Sequence, residues 1–367
     1  MPVETKDQRK SYDFLSISSS HLTFMRLSSF LPLKGKSFFH PLSLLLQLWD
    51  HFIVIGYNVM WQGYGIRMIQ RGDVEVDFIC EDIITVGFTI RYLLLCAKRE
   101  KLCCLVESCE KLWDLLKDGE VIFVRQFARK GYYFRNFILI NAMLMAALYS
   151  VTAPFVRLPP IEANGTERKI LPFRFFMDIQ KEPAYSIVFA FQSILLQFID
   201  LMIVSTETVS LYLIMMACGY LRSVRNRLLS FKGNDDNTSE KGEAALKFVI
   251  DCAHFHQQIM IFCEDIERMT RTLFFFACFC PIYNVSITGI VLFNSEDIAL
   301  AAYSASLRPQ APSHREKINR ILYFMMMRAQ KPVQLTAGGF VDLSIETFGA
   351  MTKSAFSFFM VLRKFRS

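Results

Sequence analysis

The chain lacks nearly every spacing that soluble catalysis requires. No segment alternates strand-like and helix-like patterns in the manner of a βαβ enzyme. Gly338-Gly339 precedes a helical stretch, but no phosphate-binding loop surrounds it. His254 and His256 are two residues apart, which puts them on different helix faces and excludes a two-histidine metal site; both are expected to be solvated. The 10 cysteines show none of the paired short spacing of a zinc module, so no metal is expected. Glu81 and Asp82 are adjacent, which does not make an acid–base pair, and no Ser-His-Asp or Cys-His set can be assembled. There is no internal repeat of the kind that builds secondary transporters. The polar start MPVETKDQRK predicts no cleavable signal peptide. An enzyme reading is left without support: the expectation is no catalytic residue, no cofactor and no nucleic-acid partner.

What the chain does have is apolar residues in blocks. Hydrophobic residues make up 53% of the sequence, with 35 Phe, 17 Met and a mean hydropathy of +0.29. That is a modest excess over a globular baseline of about 45–50%. The arrangement decides the class. Blocks of about 20 apolar residues alternate with charged stretches, as a hydrocarbon core of about 30 Å demands. This predicts an all-α polytopic membrane protein. Spans are expected at 42–62, 76–97, 136–156, 185–206, 270–293 and 337–362. Residues 22–40 read as an interfacial or re-entrant piece, since Pro32 and Gly35 interrupt it. The fourth helical pattern continues to about Leu229 and must project well beyond the bilayer.

Charge sets the orientation. Residues 98–135 and 222–271 are rich in Lys and Arg, and the positive-inside rule makes both cytoplasmic. The N-terminus is then cytoplasmic and 157–184 is outside. That outer loop holds the sequon Asn164-Gly165-Thr166, where Asn164 is available for glycosylation. It holds no cysteine, and Cys103, Cys104 and Cys109 fall in a cytoplasmic segment where free thiols are expected.

Polar groups in the spans are the candidate functional residues. Asp50, Asp200 and Glu207 lie within or at the edge of spans, where an acid is either functional or a hydrogen bond between helices. Asp77, Glu81, Asp82 and Arg91 burden the second span, which must be shielded by other helices or face water. Tyr149, Thr152, Phe189, Gln192 and Ser193 lie in the outer halves of spans three and four. Aromatics with a few polar groups can line a small-molecule pocket or pack ordinarily.

The C-terminal third carries a more specific signal. MMMRAQKP (325–332), LTAGGF (335–340), LSIETF (343–348) and the aromatic helix SAFSFFMVL (354–362) follow one another, and SEDIALAAY (295–303) precedes them. This succession resembles the end of insect odorant receptors, and the wider layout is similar along the chain. The resemblance implies a seven-helix bundle inverted relative to G-protein-coupled receptors. It implies a ligand-gated, non-selective cation channel assembled as a hetero-tetramer with the odorant co-receptor, in the dendritic plasma membrane of an olfactory neuron. A small volatile organic ligand and membrane lipid would be its other partners. Odorant would bind among spans two, three, four and six, and Val361 and Phe365 would form the hydrophobic gate. Gustatory receptors are the near alternative, but Ser357-Phe358 and Lys364-Phe365 stand where their last helix reads Thr-Tyr and Gln-Phe.

The resulting organisation is a cytoplasmic N-terminus over 1–41 and a ligand-binding bundle over 42–218. Anchor helices follow over 219–269, then span five with a remnant of span six over 270–307. A further anchor helix covers 308–336 and the pore-lining span 337–367. Six spans are found where the family has seven. Residues 272–307 would make about 54 Å of helix, short of the 60 Å and a turn that two crossings need. Most of the sixth span is therefore expected to be missing, with the join near Phe293–Ser295.

Overall fold

In the computed structural model the chain is a helical protein with two short β pairs. It describes residues 6–33, 37–71, 76–117, 119–158, 168–173, 179–231, 239–277, 298–308 and 312–330, with 336–337, 341–342, 349–350 and 353. The helices are α1 (Lys6–Leu27), α2 (Pro41–Arg71), α3 (Val76–Ala97), α4 (Arg99–Asp114), α5 (Val121–Thr152), α6 (Ala184–Ser230) and α7 (Ser239–Ala277). A helical stretch at 298–306, α8, precedes α9 (Pro312–Gln330). Between α5 and α6, β1 (Arg157–Leu158) pairs antiparallel with β2 (Arg168–Lys169); near the C-terminus β3 (Thr336–Ala337) pairs with β4 (Val341–Asp342). Asn164, Val361, Phe365, the fifth span after Ala277 and most of the last span lie outside the described residues.

Among the described residues, three helices are long and apolar enough to cross a membrane: Pro41–Gln70, Val121–Phe155 and Ala184–Ser230. The second expected span coincides with α3, which runs Val76–Ala97. Among the described residues, Thr85–Ala97 is its apolar helical part. The Lys- and Arg-rich stretch before the third span is not a loop. It folds into α4 and the first half of α5, since apolar residues recur there at helical spacing. Leu102, Leu105, Cys109, Leu112 and Trp113 form the buried stripe of α4.

The chain divides into two compact units. The first comprises Met1–Ser20, Glu100–Gly131 and Ser210–Ser367. Its centre is the second half of α6, where every residue from Ser210 to Leu221 is buried. A helix apolar on all sides is stable only inside a protein or a bilayer. Here Phe14 packs against Trp113 with the rings tilted, Tyr220 meets Phe255 and Phe262, and Tyr212 donates to Ser18 at 2.9 Å. Gly219 lets α6 meet α5: a Cβ there would lie 2.7 Å from the Val124 Cα. A buried ion pair ties this core together. Arg227 Nε and Nη2 donate to Glu120 Oε1 and Oε2 at 2.5 and 2.6 Å, Nη2 also reaches the Leu115 carbonyl, and the guanidinium lies 4.3 Å over the Phe255 ring.

In the same unit α7 packs on α9, joined by Arg328 and Glu264 at 2.6 Å. The histidine expectation is corrected here. His254 is exposed, but His256 is 3% exposed and its Nε2 has no partner among the described residues. Two positions along a helix turn the side chain by about 200°, so one ring faces water and the other faces into the packed core. Burial pushes the His256 imidazole down to about 4, and the positive Arg328 adds to the effect.

The second unit comprises His21–Arg99 and Tyr132–Val209. Here α1 ends in a Schellman motif, with Phe30 N–H bonding to the Met25 carbonyl and Ser29 N–H to that of Arg26. Ser29 occupies the left-handed position at φ 60°, which costs a non-glycine residue about 1 kcal/mol. Its hydroxyl donates to Asp50 Oδ2 at 2.5 Å, and that bond offsets the strain.

Candidate ligand-binding site

α2 carries two opposed stripes. Leu45, Leu48, Phe52, Ile55, Val59, Ile66 and Ile69 recur at intervals of three, four and seven residues and are exposed, Phe52 by 69%. An exposed apolar stripe of that length is the lipid-facing side of a membrane helix. The opposite stripe runs Ile53, Tyr57, Trp61, Tyr64 and Met68, and it turns into the second unit.

On that inner side the aromatic rings converge. Trp61 stacks on Phe78 of α3 with centroids 5.4 Å apart and planes 16° from parallel. Tyr64 also meets Phe78 at 5.4 Å, and Tyr57 lies 6.0 Å from Trp61 and 5.0 Å from Phe173. Gly65 makes the stack possible, because a Cβ at that position would sit 2.8 Å from the Phe78 ring. Leu195 and Ile199 of α6 complete the cluster around Ile53 and Phe173.

The segment before α6 delivers Phe173. Lys169 in β2 pairs with Glu182 at 2.6 Å and lies 4.6 Å over the Tyr185 ring, while Gln180 bonds the Lys169 backbone on both sides. Tyr185 donates to the Ile170 carbonyl at 2.8 Å. The Lys169 bond, with the Ser186 hydroxyl helping, holds the Glu182 carboxyl below its usual range. These bonds fold the segment onto the start of α6. The Phe173 N–H then donates to Gln192 Oε1 at 3.0 Å.

Two buried donors remain in this cluster. Gln192 is 1% exposed and Trp61 6%, and among the described residues neither Gln192 Nε2 nor Trp61 Nε1 has an acceptor.

The residues singled out from sequence fall in different places. Gln192 borders the aromatic cluster through Phe173. Ser193 follows it on α6, with a buried Oγ that lacks a partner among the described residues. Phe189 is one turn earlier and packs on Tyr185 at 5.8 Å. Tyr149 is 44% exposed on α5, and the Thr152 hydroxyl turns back to the Leu148 carbonyl at 2.8 Å. Tyr57, Trp61, Tyr64, Phe78 and Phe173 were not singled out. The four- and three-residue spacing of Tyr57, Trp61 and Tyr64 was the available signal. Of the span acids, Glu207 pairs with Arg91 across α6 and α3, and Asp82 accepts from Gln62 at 2.6 Å.

The chain has known relatives. The family model described as 7tm Odorant receptor matches residues 77–307 and 291–356. The chain belongs to the 7tm odorant receptor family. Within this odorant receptor family, Odorant receptor 10 of Aedes albopictus is 28% identical over 120 residues, covering 33% of this chain and 29% of that receptor. The aligned stretch is thus under a third of that relative's length. The solved insect olfactory receptor OR5 from Machilis hrabei superposes with a TM-score of 0.56, covering 96% of this chain and 98% of that one. The same receptor in complex with eugenol superposes at 0.61, over 97% and 99%. Identity is 10% in both cases, so what is shared is the fold. The chain is an odorant-receptor-family, multi-pass membrane protein. The two family matches overlap at 291–307, a stretch that contains the expected join near Phe293–Ser295.

Proposed function

We propose that this chain is the odorant-binding subunit of a ligand-gated cation channel, assembled as a hetero-tetramer with the odorant co-receptor. Its ligand is a small volatile organic molecule held in the second unit. The observation that carries this reading is the buried ring cluster of Tyr57, Trp61, Phe78 and Phe173, bordered by Gln192. Aromatic walls with few polar groups suit a small, largely apolar ligand. The eugenol complex of the Machilis hrabei receptor supports a ligand of that size. Phe189, Ser193, Tyr149 and Thr152 are proposed to line the approach. Val361 and Phe365 are proposed as the gate, Asn164 as a glycosylation site, and the dendritic plasma membrane with a cytoplasmic N-terminus as the setting.

The shortened sixth span separates binding from conduction in this proposal. The test is patch-clamp of cells expressing the chain with the co-receptor, against the same chain carrying an apolar segment of about 20 residues inserted after Phe293. Odorant should bind both forms, whereas current should be small or absent in the first and restored in the second. Full odorant-evoked current from the uninterrupted chain would refute the shortened-span part. A transcript carrying an intervening apolar exon at residues 285–300 would explain it.

A further inference from the structure

Two of the polar groups left over beside the aromatic cluster can only donate, and that restricts what the cluster can bind. Gln192 has a fixed amide orientation. Its Oε1 accepts the Phe173 backbone N–H at 3.0 Å, and the reverse orientation would set an NH2 against an N–H. Nε2 must therefore point away from Phe173, and it is buried with no acceptor among the described residues. The Trp61 indole nitrogen can only donate. It too is buried with no acceptor among the described residues, in a ring held by stacking on Phe78. Tyr57 packs against both Trp61 and Phe173, so the two donors belong to one continuous cluster. Ser193 Oγ can donate or accept, and it does not change the balance.

We infer that this site selects ligands bearing a hydrogen-bond acceptor, such as aryl or short-chain ketones, aldehydes, esters and ethers, over hydrocarbons of the same shape. The inference rests on the ligand site proposed above and names its chemistry. A carbonyl or ether oxygen placed against the indole or the amide N–H completes a bond that the described residues leave open. A hydrocarbon in the same place covers those N–H groups and leaves them unpaired. A site built to donate discriminates on that difference more strongly than on an added methylene. The aromatic walls supply apolar contact to both kinds of ligand, so shape alone does not separate them.

Acetophenone and ethylbenzene test this directly, because they differ by a carbonyl in place of a methylene at nearly equal size. Dissociation constants come from ligand-dependent thermal shifts of the detergent-purified chain, which need neither the co-receptor nor a conducting pore. Acetophenone should bind the wild-type chain about 3- to 10-fold more tightly, the range expected of one added hydrogen bond. Trp61→Phe keeps a ring against Phe78 and removes the donor, so it should weaken acetophenone binding more than ethylbenzene binding and narrow that preference. The comparison in the wild-type chain stands even if the variant does not fold. Equal binding of the two molecules would overturn the inference and leave the ligand site intact. So would an acetophenone preference unchanged in both Trp61→Phe and Gln192→Met. Binding of neither molecule would overturn the ligand site itself, and the inference with it.

Discussion

Gly65 and His256 each show a single residue setting what its surroundings can do. The Gly65 Cα faces the Phe78 ring so closely that an added methyl would lie 2.8 Å from it. Gly65→Ala should push the ring off Trp61, since the far end of a phenylalanine is the part free to move. The expected result is a changed indole emission and a several-fold weaker binding of acetophenone, with the helical circular dichroism unchanged. An unchanged emission and affinity would show that the stack does not shape the site. His256 makes a pH prediction. Its imidazole is held near 4 in the fold against about 6.5 in the unfolded chain. The unfolded state therefore binds the extra proton first. Its contribution to stability is full above pH 6.5 and falls away as pH drops toward 4, by roughly 3 kcal/mol in all. Thermal unfolding between pH 7 and pH 4 should show that loss, and His256→Leu should flatten it. The sequence displayed both histidines, but only the burial of one of them made them different.

At the scale of the element, paired helices depend on single contacts between them. Arg91 in α3 and Glu207 in α6 form a largely buried pair. Arg91→Ala leaves the Glu207 carboxylate uncompensated and should cost about 3–5 kcal/mol. Arg91→Met combined with Glu207→Met should recover most of that, and thermal unfolding of the three forms separates the cases. A double variant as unstable as the single one would mean that the pair does more than neutralise charge. The α5–α6 crossing at Gly219 behaves differently. The clash of an added Cβ is with the Val124 backbone at 2.7 Å, which cannot rotate away. Gly219→Ala should therefore destabilise the first unit by about 1–3 kcal/mol through overpacking, although alanine favours helix more than glycine does. An unchanged or raised unfolding temperature would sink that account. Span acids read from the sequence as either functional or structural resolve here only for Glu207 and Asp50, whose partners lie 116 and 21 residues away.

For the whole molecule, a cytoplasmic placement of α4 makes a labelling prediction. Cys104 is exposed, while Cys109 is buried with its thiol pushed up to about 12 by desolvation. A thiolate is the reactive form, so Cys104 should react and Cys109 should not. A membrane-impermeant maleimide should modify Cys104 only after permeabilisation, read as the difference in labelling between the wild-type chain and Cys104→Ser. Labelling of Cys104 on intact cells would reverse the proposed topology. The membrane class, the family and the length of α6 were legible in the chain, because each is written in local pattern: apolar blocks, the MMMRAQKP-to-SAFSFFMVL succession, and a helical period continuing to Leu229. Gln192 was legible as a polar residue in an apolar span. The sequence could not separate the half of α6 that faces outward from the half buried on all sides, since lipid and protein interior select the same apolar residues. Nor could it name Trp61, Phe78 and Phe173 as one cluster. They sit on separate segments whose meeting depends on Gly65 and on the Phe173–Gln192 bond, and contacts between distant segments are settled only when the chain packs.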